Sequence, residues 1–422
     1  MKSRLLSTIG VATLAIAACG PGATSTSTPT MAPAPTGTMG PMSSPDMMSP
    51  APAGSPGAMT DGGAADLRTT LNALLGEHLI FASKATGAAL DGRADEFAAY
   101  GELLNTNGTD LGALVGAAYG DAAKDEFNRI WSAHNGFFVD YTTGVATDDK
   151  AKMDKAVEDL TTVYVPEFSE FISGATGLPM DAVTGLTTDH VLQTKAVVDA
   201  QAAKDWPAAY AAIRTAYAHM QMIGDAIGPA IAAKFPEKFD GDAASGAVDL
   251  RVALNQLLQE HLYLASYATG SALGGRSDEF GAAGEALNTN GTDVGAAIGS
   301  LYGDAAKDEF NRIWSAHNGF FVDYTTGVAT DDKAKMDKAV EDLTTVYVPE
   351  FSKFLAGATD LPVDAVTDLV TEHVLTTKAI VDAQAGGDPA AAAAADRMAG
   401  QHMAMLADPL AAAIVAKLPD KF

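Results

Sequence analysis

Residues 66–90 read DLRTTLNALLGEHLIFASKATGAAL, and Leu67, Leu71, Leu74, Leu75, His78, Ala82, Ala85 and Ala89 recur along them at steps of three and four. That spacing draws one apolar stripe down a helix of 3.6 residues per turn. Gly92 breaks the pattern, and a second stripe follows through Phe97, Gly101, Leu104, Leu111 and Val115. The unit is therefore a helical hairpin with arms of about 20 residues, or about 30 Å. His78 lies within the apolar stripe of the first arm.

The hairpin recurs. His78, His134 and His190 stand at equal intervals, a step of 56 in the numbering, and His261, His317 and His373 repeat that spacing after a shift of 183. Leu71, Phe127 and Val183 keep the same phase, as do Leu74, Ile130 and Leu186, then Ala85, Tyr141 and Val197, then Phe97, Met153 and Ala209. Residues 66–239 align with 249–422 without a gap, and 119–169 are identical to 302–352. The expected fold is all-α: two tandem six-helix domains, each built from three such hairpins, one per step of 56. Helical domain 1 spans 65–239, a flexible Gly, Ala, Ser and Asp linker spans 240–248, and helical domain 2 spans 249–422. Three hairpins can close as a bundle or stack as a solenoid. Two compact, Ala-rich copies on one short linker favour closure. The long identity points to recent duplication or sequence exchange, so agreement between the copies says little about any single residue.

Boundary residues agree with this division. Asp66 and Asp121 stand where N-caps are wanted. Pro179, Pro207 and Pro389 fall in opening turns, where a missing N–H costs nothing. Pro166 is different, because it interrupts a periodic arm, and it predicts a break near Val165.

Ahead of the repeats, Lys2 and Arg4 precede an apolar run from Leu5 to Ala15 that is too short for a permanent span, so 1–18 read as a signal peptide. Ile16-Ala17-Ala18-Cys19 resembles the bacterial lipobox, which implies acylation of Cys19, palmitate included, and a membrane anchor on the extracytoplasmic face of the cell membrane. Cys19 is the only cysteine, which excludes an internal disulfide. The rest of 19–64 is Pro, Ser, Thr, Gly, Ala and Met with almost no charge; it cannot bury a core and reads as a disordered stalk spanning roughly 35 to 40 Å. Six of the fifteen methionines lie there, at Met31, Met39, Met42, Met47, Met48 and Met59. Thioethers suit Cu(I), although compositional drift in a linker gives the same pattern.

The net charge of −26 becomes −28 once Lys2 and Arg4 leave with the signal peptide, which argues against nucleic acid as a partner. An acidic body is also repelled by anionic lipid, so a long neutral stalk is physically sensible.

The histidines are the candidates for chemistry. His78, His134 and His190, with His219 on the last helix as a fourth, converge if the bundle closes with threefold pseudosymmetry; His261, His317, His373 and His402 are their counterparts. Three or four imidazoles suit copper or zinc. Asn107 and Asp110, with Asn290 and Asp293, are candidates to orient a ligating ring through its other nitrogen. Met220 continues the stripe of Ile213, Tyr217, Ile223 and Ile227 and reads as core, as do Trp131, Phe137, Phe138 and Tyr141 around His134. Glu77 and Glu260 project about 100° from their histidines, toward solvent or a neighbouring cap. No His-Glu-x-x-His, Glu-x-x-His, Gly-x-Ser-x-Gly or phosphate-binding glycine loop occurs, so an enzyme is not expected.

The pattern carried by Leu74 to His78, Asn107 to Asp110, Tyr119-Gly120, Trp131 to Asn135 and Phe235 to Phe239 resembles a poorly described group of helical extracytoplasmic bacterial proteins. Members are often labelled copper amine oxidase. That enzyme's Asn-Tyr-Asp/Glu and His-x-His motifs are absent from this chain, so the resemblance implies copper at most and no oxidase activity. Two readings result: a membrane-anchored lipoprotein that binds a transition metal, copper first, through its core histidines; or a non-catalytic envelope-structural or protein-interaction lipoprotein whose histidines are structural.

Overall fold

A computed structural model describes residues 60–422; the signal segment, Cys19 and most of the stalk lie outside the described residues. The described chain is helical, with no strand. Copy 1 comprises α1 (Gly63–Leu90), α2 (Ala94–Tyr119), α3 (Asp121–Ala146), α4 (Lys150–Asp159), α5 (Val165–Thr176), α6 (Met180–Ala202) and α7 (Trp206–Lys234). Copy 2 repeats it as α8 (Gly246–Leu273), α9 (Ser277–Tyr302), α10 (Asp304–Ala329), α11 (Lys333–Asp342), α12 (Val348–Thr359), α13 (Val363–Ala385) and α14 (Pro389–Lys417). The helix pair α4 and α5 forms one bent arm, so each copy has six arms in three hairpins. The arms run longer than their apolar stripes suggest, α1 reaching 28 residues and α7 reaching 29 residues.

The bend has a local cause. Pro166 lacks an N–H and leaves the carbonyl one turn back without its donor. Leu160–Tyr164 absorb this as one π turn, in which the Val165 N–H bonds the Leu160 carbonyl five residues back. Leu343–Tyr347 do the same in copy 2. The break falls one turn ahead of the proline, and it swings Tyr164 and Tyr347 into the core, each 2% exposed.

Each copy closes on itself. The arms pack in order around a ring, and α7 returns along α1 while α1, α3 and α6 meet at the axis. The stripes that keep phase from hairpin to hairpin fill this interior: Leu71, Phe127, Val183, Ile130, Ala85, Tyr141 and Val197 are all buried. Phe138, Trp131 and Met220 are buried as well, with Phe137 half-buried.

Two expected caps take other roles. Asp66 and Asp121 sit inside their first helical turns, and the residues before those helices are Gly62 and Gly120. The first N–H groups of α1 are held from the far end of the copy: Gly63 N donates to Asp240 Oδ1 at 2.9 Å and Ala64 N to the Asp240 carbonyl at 2.9 Å. The stretch expected as a flexible linker is thus tied down, and its last residues already belong to α8. Asp205 and Asp388 do cap, accepting from Ala208 N and Ala391 N.

The copies pack against each other through α1 with α8, α2 with α14 and α7 with α9. Since α8, α9 and α14 are the equivalents of α1, α2 and α7, the arrangement is isologous: each contact is made twice about a pseudo-twofold axis. Arg214 reaches Glu260 at 3.0 Å and Asp293 at 2.7 Å, while its equivalent Arg397 reaches Glu77 at 3.3 Å and also pairs with Asp110. Arg68 bridges Asp225 and Asp249, and Arg251 bridges Asp408 and Asp66. The apolar core of copy 1 runs on across this seam into Tyr263, Leu264, Tyr267 and Ala283.

Candidate metal centre

His78 comes from α1, His134 from α3 and His190 from α6, the first arms of the three hairpins. Each step along the repeat returns to the same height on the next hairpin, and ring closure turns all three positions to the axis. The rings stand 5.3 Å (His78 to His134) and 6.1 Å (each of these to His190) apart between centroids. One nitrogen from each lies within 4.8 Å of the others, and His261, His317 and His373 form the same group in copy 2. Nitrogens bound to one tetrahedral ion are about 3.3 Å apart, given metal–nitrogen bonds near 2.0–2.1 Å. The nitrogens are therefore within about 1.5 Å of that spacing, a gap that small side-chain adjustments close.

All six rings are buried. Burial, followed by the neighbouring imidazoles, holds His78 and His261 well below the ordinary range; burial holds His134 and His317 at about 4; and burial with a neighbouring histidine holds His190 and His373 at about 3. The rings are therefore neutral near pH 7, the form that ligates metals. His134 Nδ1 lies 2.6 Å from the Trp131 carbonyl, and His317 Nδ1 lies 2.7 Å from that of Trp314. A carbonyl only accepts, so the proton is on Nδ1 and the Nε2 lone pair is free. Nδ1 of His78, Nε2 of His134 and Nε2 of His190 are buried without a hydrogen-bond partner, as are Nδ1 of His261 and Nε2 of His317. A buried unpaired polar atom costs about 1–3 kcal/mol, so several of them on three rings packed together is an arrangement that a cation would relieve.

Aromatic rings frame each group. Tyr164 stacks on His134 at 4.6 Å and 16°, and Trp131 lies 4.6 Å from His78; Tyr347 and Trp314 repeat this at 4.6 Å and 4.4 Å. Trp131 is expected from the sequence only as core; the Trp-x-x-His spacing, about one helical turn, is the signal that could have placed its carbonyl beside the ring. No such spacing signals the tyrosine, because only the π turn brings it round.

The fourth histidine takes another part. His219 Nε2 donates to the Leu186 carbonyl at 2.9 Å, and His402 Nε2 to that of Leu369 at 3.1 Å; both stand outside the groups of three. Asn107 and Asn290 likewise form no hydrogen bond to a histidine. Asn107 Nδ2 donates to the Leu74 carbonyl at 2.9 Å and to Glu77 at 2.9 Å, and Asn290 to Leu257 and Glu260. Asn107 and His219, at matching positions two hairpins apart, thus do the same job: each ties a second arm to a first-arm carbonyl. Asp110 and Asp293 pair with Arg397 and Arg214 across the seam. Glu77 and Glu260 do not face solvent: they are buried against those same arginines. Burial pushes the Glu77 carboxyl above its usual range, against the opposing pull of Asn107 and Arg397.

The copy 2 group opens on a cavity of about 300 Å³, whose lining includes His261, His317, His373, Ala265, Phe280 and Phe321. No Asp, Glu, Lys or Arg lines it.

No known family, curated protein or solved structure matches the chain. What the site can do therefore rests on its own geometry.

Proposed function

We propose that the chain is a lipid-anchored extracytoplasmic protein that holds one transition-metal ion in each copy, through His78, His134 and His190 and through His261, His317 and His373, without turning over a substrate. The observation that carries this is the convergence of three buried, neutral imidazoles in each copy, five of the six rings having a buried nitrogen without a hydrogen-bond partner. Imidazole suits copper and zinc, and among divalent ions a given nitrogen site holds copper most tightly, which makes copper the first choice. Three ligands leave one coordination position open. A water bound there would find no carboxylate or lysine in the copy 2 lining to take its proton, which favours binding over hydrolysis. Anchoring through Cys19 would hold the sites at the membrane surface on the stalk.

The test is a titration of the full chain in detergent with Cu and Zn against a chromophoric chelator. Two ions per chain are expected, falling to none in His134→Ala/His317→Ala. No stoichiometric uptake, or uptake unchanged in that variant, would overturn the metal reading in favour of structural histidines. Cys19→Ala is expected to move the protein from the membrane to the soluble fraction.

A further inference from the structure

We infer that the copy 2 cavity is a ligand pocket whose floor is the metal: a small uncharged apolar molecule ending in a single nitrogen donor fills it and completes the coordination at His261, His317 and His373. The inference rests on the metal reading above and adds the class of ligand.

At about 300 Å³ the cavity reaches the lower end of small-molecule sites. All three histidines line it, so an ion held by them would border this space. The walls are apolar in character even where the residue names are polar. Thr325 Oγ1 donates to the Phe321 carbonyl at 2.8 Å, Thr326 to Val322 at 2.7 Å and Thr377 to His373 at 2.8 Å, while Thr269 donates to Gln384 at 2.8 Å. With their hydroxyl protons committed to these partners, the threonines supply no hydrogen-bond donor to the cavity. Exposed Ser277 and half-buried Asn318 are the remaining polar side chains of the lining. A charged ligand would leave water for walls that supply no counter-charge. An apolar body gains from burial, and its donor atom meets the metal.

Full chain carrying His134→Ala, so that metal is confined to the second group, is loaded with Co(II) and titrated with imidazole, phenylimidazole and imidazole carboxylate, with the Co(II) d–d bands as readout. Phenylimidazole is expected to bind at least about tenfold more tightly than imidazole, from burial of its ring, and imidazole carboxylate more weakly than either. Ala265→Phe, which fills the cavity, is expected to abolish the advantage of phenylimidazole while Co(II) affinity and helicity stay unchanged; Ala265→Leu is the smaller filling should the larger one unfold the chain. Bound Co(II) with equal affinity for the three probes overturns the pocket alone. Absence of a Co(II) spectrum overturns the metal reading beneath it, and the two failures are told apart by that spectrum.

Discussion

The histidine groups and the seam between the copies are two regions built by the same duplication, and they have fared differently. The groups are the same twice: centroid distances of 5.3, 6.1 and 6.1 Å in copy 1 become 5.3, 6.2 and 6.2 Å in copy 2. His134 and His317 lie in the identical stretch, but the other four histidines lie outside it. The seam, in contrast, has lost its symmetry at the centre. Lys84 meets Asp396 at 2.6 Å, both buried, and Tyr100 donates to the same carboxylate at 2.6 Å. The equivalent positions on the other side of the axis are Tyr267, Ile213 and Ala283, an uncharged set. A copy needs its own axis filled in the same way each time. A seam that exists once per chain is free to become unlike on its two sides. The outcome favours unlike pairing, because two first copies together would set Lys84 against Ile213 with no carboxylate, a buried uncompensated charge.

Acid separates the two regions with the largest effect. In the metal-free chain His134 and His317 sit at about 4, below the ordinary 6.5, so the unfolded state takes up protons first as pH falls. Their stabilising contribution is therefore complete above about pH 6.5 and is lost as pH drops through about 4. That amounts to about 3 kcal/mol for each, and the other four histidines act in the same direction. Urea unfolding followed from pH 7 to pH 4 should show a steep loss of stability, reduced in His134→Gln/His317→Gln. A flat profile would mean that the groups are not buried as described.

The seam responds next. Asp396→Ala leaves Lys84 buried without a counter-charge and is expected to cost about 3–5 kcal/mol in chemical denaturation, whereas Lys84→Met/Asp396→Leu should recover most of it. Equal losses in the single and double variants would show that the ion pair is not what distinguishes the two sides. Close helix contact comes third. A Cβ on Gly108 would stand 2.9 Å from Trp131 Cδ1, and one on Gly291 would stand 2.9 Å from Trp314 Cδ1. Alanine at either position should destabilise by about 1–3 kcal/mol and by similar amounts in the two copies, since this contact belongs to the repeated part. Thermal unfolding of the two single variants compares them directly.

The hairpins were legible because a stripe of residues such as Leu71, Phe127 and Val183 repeats with its histidine, and periodicity within one helix is a local property. Pro166 announced a break for the same reason. What periodicity does not carry is which element lies across a packed surface. Glu77 is directed away from His78 as helix geometry requires, but that direction is occupied by Arg397, 320 residues away. Asp66 looked like a cap, and it reaches Arg251 of the other copy instead. Asp240 falls in the stretch expected as a flexible linker, yet it completes α1 because the ring brings its two ends together. Convergence of the three histidines followed from closure, which the return of α7 along α1 decides; a stacked array would have used the same sequence pattern.

The smallest expected effect draws the sharpest line inside the histidine set. His219 lies on the last hairpin of the ring and shares a helix face with core residues, so sequence alone groups it with the ligands. Its Nε2 is already committed to the Leu186 carbonyl, the place that Asn107 Nδ2 takes at Leu74. Asparagine should therefore substitute for it: His219→Asn/His402→Asn keeps a donor for each carbonyl and is expected to change stability by about 1 kcal/mol or less. Ion uptake, measured by the same chelator competition, should stay at two per chain with affinity within about threefold, which is under about 1 kcal/mol. His219→Leu/His402→Leu should leave the two carbonyls unpaired and cost about 1–3 kcal/mol each, still without loss of metal. A drop in ion number in the asparagine variant would instead make each site four-coordinate, close the position that faces the copy 2 cavity, and remove the ligand pocket along with it.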